Sequence, residues 1–170
     1  MAAKHRNIML AVAAVGIVFL AVNPLVNPMP LVIWNASESV PIGWYVVAKR
    51  QPKIGEVAVI KPTEWVQIYA SSRGYLPQDV WLLKPIFATY PSIICRFGSH
   101  VFVNGKQVAK GKIADKMHRV LPVWKGCKAL TSTQYFMLGR HRDSFDSRYF
   151  GPIERKQIIG TAFPLSGLFK

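Results

Sequence analysis

A chain of 170 residues supports one folded domain with its own core and leaves little room for a second. With 51% hydrophobic residues it is not a disordered chain, and it fits a globular domain joined to a membrane segment. Its formal charge of +14 suits an anionic lipid face or an acidic partner. The basic residues are scattered, and there is no zinc finger or aromatic-rich RNA-binding signature, so nucleic acid is not an expected partner.

In chain order, Lys4 and Arg6 precede an uncharged apolar run from Ile8 to Val22. As a helix that run covers about 22 Å, short of the about 30 Å hydrocarbon layer of a bilayer. Continued through Asn23 and Pro24 to Leu31, Val32 and Ile33, it reaches a full span. The basic flank keeps the N terminus in the cytoplasm, so the remainder faces outward. A cleaved leader has the same basic flank and short apolar run. Here Phe19-Leu20-Ala21-Val22-Asn23 offers no small-x-small cleavage site, which favours a retained anchor. The expected division is a cytoplasmic tail with one transmembrane helix (1–33) and an exported domain (34–170).

Beyond Trp34 the pattern changes to short strand-like runs broken by Pro and Gly. Gly43–Ala48 and Glu56–Ile60 read as strands rich in Val, Ile and aromatic residues. Pro62 and Thr63 start a short helix through Trp65, Ile68 and Tyr69, stopped at Gly74. Val80–Thr89 is an apolar run with a single lysine. Val101–Val108 contains Asn104-Gly105, the pair that accepts the positive φ angles of a tight type I′ hairpin. Gln134–Leu138 and Gln157–Phe163 complete the strands. The expected fold is mainly β, a closed or coiled antiparallel sheet with one or two short helices.

Cys95 and Cys127 form no CxxC pair and have no histidine at zinc-ligand spacing. They are either two separate buried thiols or one disulfide, and an oxidising compartment favours the disulfide. His5, His100, His118 and His141 fall at unrelated spacings, and the chain has only eight acidic residues. Neither a metal nor a cofactor is expected.

Three segments carry residues capable of chemistry. Asn35-Ala36-Ser37-Glu38-Ser39-Val40-Pro41-Ile42-Gly43 places Ser39 before a Val-Pro step, where Pro41 holds the preceding backbone extended. By itself this is also a serine-rich linker. Trp81-Leu82-Leu83-Lys84-Pro85-Ile86-Phe87-Ala88 holds a lysine that must either reach water or lose its charge. A neutral lysine can serve as general base to a serine, whereas an edge-strand lysine with a wet amine cannot. Gly139-Arg140-His141-Arg142-Asp143-Ser144-Phe145-Asp146-Ser147-Arg148-Tyr149-Phe150-Gly151-Pro152 is a polar cluster between two strand-like runs. Asp146 can pair with Arg148, and Ser144 can orient a nearby amine.

In order and separation, the three segments together resemble the boxes of bacterial type I signal peptidases. The Ser-x-Asp-Ser-Arg-Tyr run at 144–149 is the most specific of them. The first segment is similar to the TraF-type conjugative-transfer peptidases, whose pattern is Asn-x-Ser/Thr-x-Ser-hydrophobic-Pro-x-Gly-x-Tyr. Those have one residue fewer before the proline than other signal peptidases. Leu121-Pro122-Val123-Trp124-Lys125-Gly126-Cys127 extends the likeness, which runs from about Ile33 to the C terminus.

The resemblance implies a signal-peptidase-like coiled sheet on the periplasmic side of a bacterial inner membrane. It implies Ser39 as nucleophile and Lys84 as its base. The Ser39 N–H and the Ser37 hydroxyl would form the oxyanion hole, Ser144 would hold the Lys84 amine, and Asp146 with Arg148 would brace the site. It implies a membrane-embedded pilin precursor as substrate, with joining of its ends into a ring. General removal of leaders from exported preproteins, a non-catalytic channel component and a self-cleaving regulator are the alternatives. Two departures concern the loops around the dyad: Ala88-Thr89-Tyr90-Pro91-Ser92 replaces a Leu-Pro-Gly-Asp turn, and Arg140 stands where the family has an acid.

Overall fold

A computed structural model describes Met9 and residues 32–167. Among residues 32–167, eleven strands form two antiparallel sheets, joined by two short α-helices and two 3₁₀ turns. The strands are β1 (Val32–Asn35), β2 (Gly43–Ala48), β3 (Val57–Ile60), β4 (Leu82–Thr89), β5 (Ile93–Phe97), β6 (His100–Val103), β7 (Lys106–Lys110), β8 (Gly126–Ala129), β9 (Gln134–Met137), β10 (Ile153–Glu154) and β11 (Ile158–Pro164). The helices are α1 (Glu64–Ser72) and α2 (Ser147–Phe150). The large sheet runs β1-β2-β11-β3-β4-β9-β10, and the small sheet runs β7-β6-β5-β8.

Strand β4 shows how the sequence sets the core. Alternation places Leu82, Lys84, Ile86 and Ala88 on one face. Leu82 and Ile86 pack there with Ala58, Ile60, Met137, Ile153 and Ile158. Ala88 belongs to a second cluster with Ile94, Val101, Val103, Leu130, Phe136 and Leu138, between β4–β9 and the small sheet. Lys84 therefore occupies a core position between two apolar neighbours of its own strand and is only 4% exposed.

Most local expectations agree with the elements. β2 has the expected ends, α1 lies within the expected helix, and β6–β7 turn through Asn104 (φ 50°) and Gly105 (φ 79°). The expected membrane span is corrected at its end. Val32 and Ile33 lie in β1, paired with Val46 and Tyr45 of β2, because an apolar pair completes a sheet edge as readily as a span. Except for Met9, the Ile8–Val22 run and the segment to Leu31 lie outside the described residues. Among the described residues no helix is long and apolar enough to cross a membrane. The open choice for the cysteines resolves as a disulfide between Cys95 of β5 and Cys127 of β8, directly opposed in register.

Candidate active site

The turn between β1 and β2 carries Ser39 and is built around one side chain. Asn35, 5% exposed at the end of β1, directs its Nδ2 at the carbonyls of Ser37 (2.8 Å), Val40 (3.1 Å) and Pro41 (3.0 Å). Its Oδ1 accepts from the Ser37 N–H (3.2 Å) and the Ser37 hydroxyl (2.9 Å). Tyr45 adds a hydrogen bond from its hydroxyl to the Pro41 carbonyl, 2.8 Å. A short loop that satisfies its own backbone in this way keeps one shape. Within it Ser39 is 6% exposed.

Lys84 reaches this turn from β4. Its Nζ is in hydrogen-bond contact with Ser39 Oγ and lies 2.9 Å from Ser144 Oγ. The two hydroxyl oxygens are 3.1 Å apart. Burial pushes the Lys84 amine down from 10.5 to about 8; the Asp146 carboxylate opposes the fall and the Arg148 guanidinium assists it. The cause is desolvation of a cation on an apolar face. A neutral amine so placed can accept the Ser39 proton, while Ser144 accepts an N–H from the amine and fixes its direction.

Behind Ser144 stands a buried ion pair. Asp146 is fully buried and Arg148 is 4% exposed. Arg148 grips the carboxylate through Nε (2.8 Å) and Nη2 (3.0 Å). Asp146 also caps α2 by accepting the Arg148 N–H, and takes the Gly139 N–H at 2.7 Å. The guanidinium further binds the carbonyls of Gly139 and Arg142, both at 2.9 Å. The pair thus staples the 139–146 loop that presents Ser144. It also prevents a lone carboxylate from holding Lys84 protonated.

Ser39, Lys84 and Ser144 open onto a cleft of about 440 Å³ whose walls include Leu82, Leu121, Phe145 and Tyr149. Among the described residues, no group of three or more His, Cys, Asp or Glu is placed to hold a metal ion. Ser37 also lines the cleft, but its hydroxyl is engaged with Asn35. Cys95 and Cys127 lie in the small sheet.

Two further residues shape this site. Asn35 was visible only as part of a pattern, and its five contacts require the folded turn. Gly139 is the other. A Cβ there would overlap the Ser144 hydroxyl and lie 2.7 Å from the Ser144 Cβ, so glycine is what lets Ser144 approach. Its position at the start of the polar cluster was the available signal.

Comparison with known proteins agrees with the family resemblance. The family described as "Signal peptidase, peptidase S26" matches residues 4–165. The chain is 28% identical over 143 residues to "Plasmid transfer protein TraF" of Escherichia coli, covering 77% of this chain and 80% of that one. It is 28% identical over 117 residues to "Probable signal peptidase I-2" of a Synechocystis species, covering 67% of this chain and 48% of that one. A crystal structure of a signal peptidase I from Enterococcus faecalis matches 67% of this chain and 98% of its own, with 16% identity and a TM-score of 0.39.

Proposed function

The chain belongs to the signal peptidase family, peptidase S26, and from that premise we propose a serine endopeptidase with Ser39 as nucleophile and Lys84 as general base. The observation that carries this reading is the contact of a 4% exposed lysine amine with Ser39 Oγ. The amine is poised to be neutral from about pH 8 upward.

The steps follow from the atoms present. Neutral Lys84 takes the Ser39 proton as Oγ attacks the peptide carbonyl. The scissile C–N bond then breaks, and the departing amine takes the proton back from the Lys84 ammonium. The ester left on Ser39 is opened by water, with Lys84 taking the water proton and returning it to the departing Ser39 Oγ. An amine in place of water forms a new peptide bond. The developing oxyanion is received by the Ser39 N–H and the Ser37 hydroxyl, which turns its proton from Asn35 Oδ1 to the new charge. Exchanging one acceptor for a more negative one strengthens that bond in the transition state, which is how such donors contribute to rate.

The substrate in this reading is an exported preprotein, specifically a membrane-embedded pilin precursor of a conjugation system, whose ends are joined when its own amine resolves the ester. Its support is the likeness to the plasmid transfer protein, together with the Asn35-Ala36-Ser37-Glu38-Ser39-Val40-Pro41 turn, which resembles the TraF-type pattern. In this reading the segment before β1 is the anchor in the inner membrane, and the chain from β1 onward is the periplasmic peptidase domain. Confinement to the bilayer raises the local concentration of enzyme and substrate.

The test is mass spectrometry of the pilin from cells carrying the parent, Ser39→Ala or Lys84→Ala. A mature chain lighter by one water than the linear product, seen only with the parent, is the expected result. Normal pilin from either variant removes the dyad. Unchanged pilin with general loss of leader removal assigns the enzyme to general export instead.

A further inference from the structure

Arg96 heads the fully buried side chains of the described residues in volume, at 1% exposure. Among the described ion pairs it has no carboxylate partner. Its neighbours are carbonyl oxygens from separate parts of the chain: Gly98 from Nε at 3.0 Å, Pro122 from Nη1 at 3.4 Å, and Arg148 of α2, also from Nη1. Its guanidinium lies 5.8 Å from the Tyr149 ring centre. At Gly111 a Cβ would stand 2.9 Å from Nη2, so the chain leaves that position bare beside it. Burying a cation among neutral acceptors is costly, and stability alone would favour an apolar residue there. The energy sustains a particular geometry.

That geometry concerns α2. A helix of four residues leaves most of its carbonyls without helical partners. Arg96 takes the Arg148 carbonyl, and the Trp124 indole donates at 3.0 Å to the Ser147 carbonyl, which also accepts the Gly151 N–H. Arg96 lies on β5 beside Cys95, and Trp124 lies shortly before Cys127 of β8. β5 and β8 are ladder neighbours, with Cys95 opposite Cys127 and Arg96 opposite Gly126. Arg96 therefore issues from the cross-linked ladder and Trp124 from the loop that leads into it, and both hold the helix whose entry carries Ser144 and Asp146.

We propose that Arg96, seconded by Trp124, is a positioning residue for the dyad: it hooks α2 to the cross-linked small sheet and so fixes Ser144 against Lys84. The inference rests on the Ser39–Lys84 reading above. When the hook is removed, α2 shifts, Ser144 leaves the amine, and water enters beside Lys84.

The test uses the full-length protein and the p-nitrophenyl ester of N-acetylalanine, with rates referred to the active fraction measured by burst titration. Trp124→Phe keeps an aromatic ring but removes the N–H with the five-membered half of the indole, Arg96→Met keeps length without donors, and Arg96→Lys keeps the charge. Trp124→Phe and Arg96→Met are expected to lower kcat by about fivefold to tenfold with KM unchanged. They are also expected to move the pH midpoint of kcat/KM upward from about 8, because a wetter amine holds its proton longer. Arg96→Lys is expected to restore part of both. A role in stability alone would lower Tm and leave kcat and midpoint at the parent's values; that outcome in Trp124→Phe overturns the proposal even where Arg96→Met does not fold. Ester hydrolysis by Ser39→Ala at the parent's rate overturns the dyad instead, and is read separately.

Discussion

The Ser144 hydroxyl lies 2.9 Å from Lys84 Nζ, a contact made across 60 residues of chain. It is the second of two hydroxyls around that amine, and the one free of bond-making in the proposed chemistry. Replacing Ser144 by Ala leaves the amine directed by Ser39 alone. We expect kcat for ester hydrolysis to fall about tenfold to a hundredfold, as for a buried hydrogen bond to a charge-bearing group worth about 1.5–3 kcal/mol. The fold should persist, which circular dichroism and thermal melting of Ser144→Ala will show.

Activity and stability should depend on pH through the same amine. Burial lowers Lys84 from 10.5 to about 8, so kcat/KM should climb about tenfold per pH unit below that value and level off above it. In the unfolded chain the amine keeps its proton until about its ordinary value, 10.5. Below about 8 the folded state thus carries a buried ammonium, and this penalty lifts between about 8 and 10.5 as the folded amine alone deprotonates. Unfolding free energy should gain a rising contribution across that window. Lys84→Met should lose all activity, be more stable than the parent at neutral pH and lack that contribution. Denaturant titrations of both proteins on either side of the window provide the check.

Gly139 offers a steric test of the loop. In Gly139→Ala the added methyl meets the Ser144 side chain and comes within 3.4 Å of Asp146 Oδ2. Overpacking at a buried site of this kind costs about 1–3 kcal/mol. The variant should melt lower and lose activity by displacing Ser144 from the amine, with KM little changed. Full activity in a folded Gly139→Ala protein would show that Ser144 does not need its present position.

The disulfide should contribute measurably to the fold. It closes a loop with a sequence separation of 32, for which chain entropy predicts about 3–4 kcal/mol. The double variant Cys95→Ser, Cys127→Ser should lose about that much in urea unfolding, and dithiothreitol should bring the parent to the same curve. A parent insensitive to reductant would count against a structural cross-link.

What the sequence made legible follows the range of the forces involved. The Asn104-Gly105 turn and the edges of β2 are decided by neighbours a few residues apart, and both were readable. The burial of Lys84 was half readable: alternation with Leu82, Ile86 and Ala88 put it on an apolar face, but whether that face was covered depended on β9 and β11. Val32 and Ile33 of β1 read as the tail of a membrane span because they are apolar in either setting, and only their pairing with Val46 and Tyr45 distinguishes the two. β5 was missed between Pro91 and Gly98. Arg96 left no trace of its role, since its partners are carbonyls, which every residue carries, brought together by the two sheets.

The order of strands in the large sheet has a bearing on timing. β2 and β3 are not neighbours; β11, at the end of the described chain, lies between them and bonds to both. Ser39 is attached to the β1–β2 ribbon and Lys84 to the β3–β4 ribbon, so until β11 arrives nothing in the sheet binds one ribbon to the other. Ser144 is likewise 105 residues beyond Ser39. Such late closure belongs to slow, long-range β topologies. A nascent chain, or one cut short before β11, should therefore hold its serine and its lysine unmated, so that proteolysis begins only in a finished molecule.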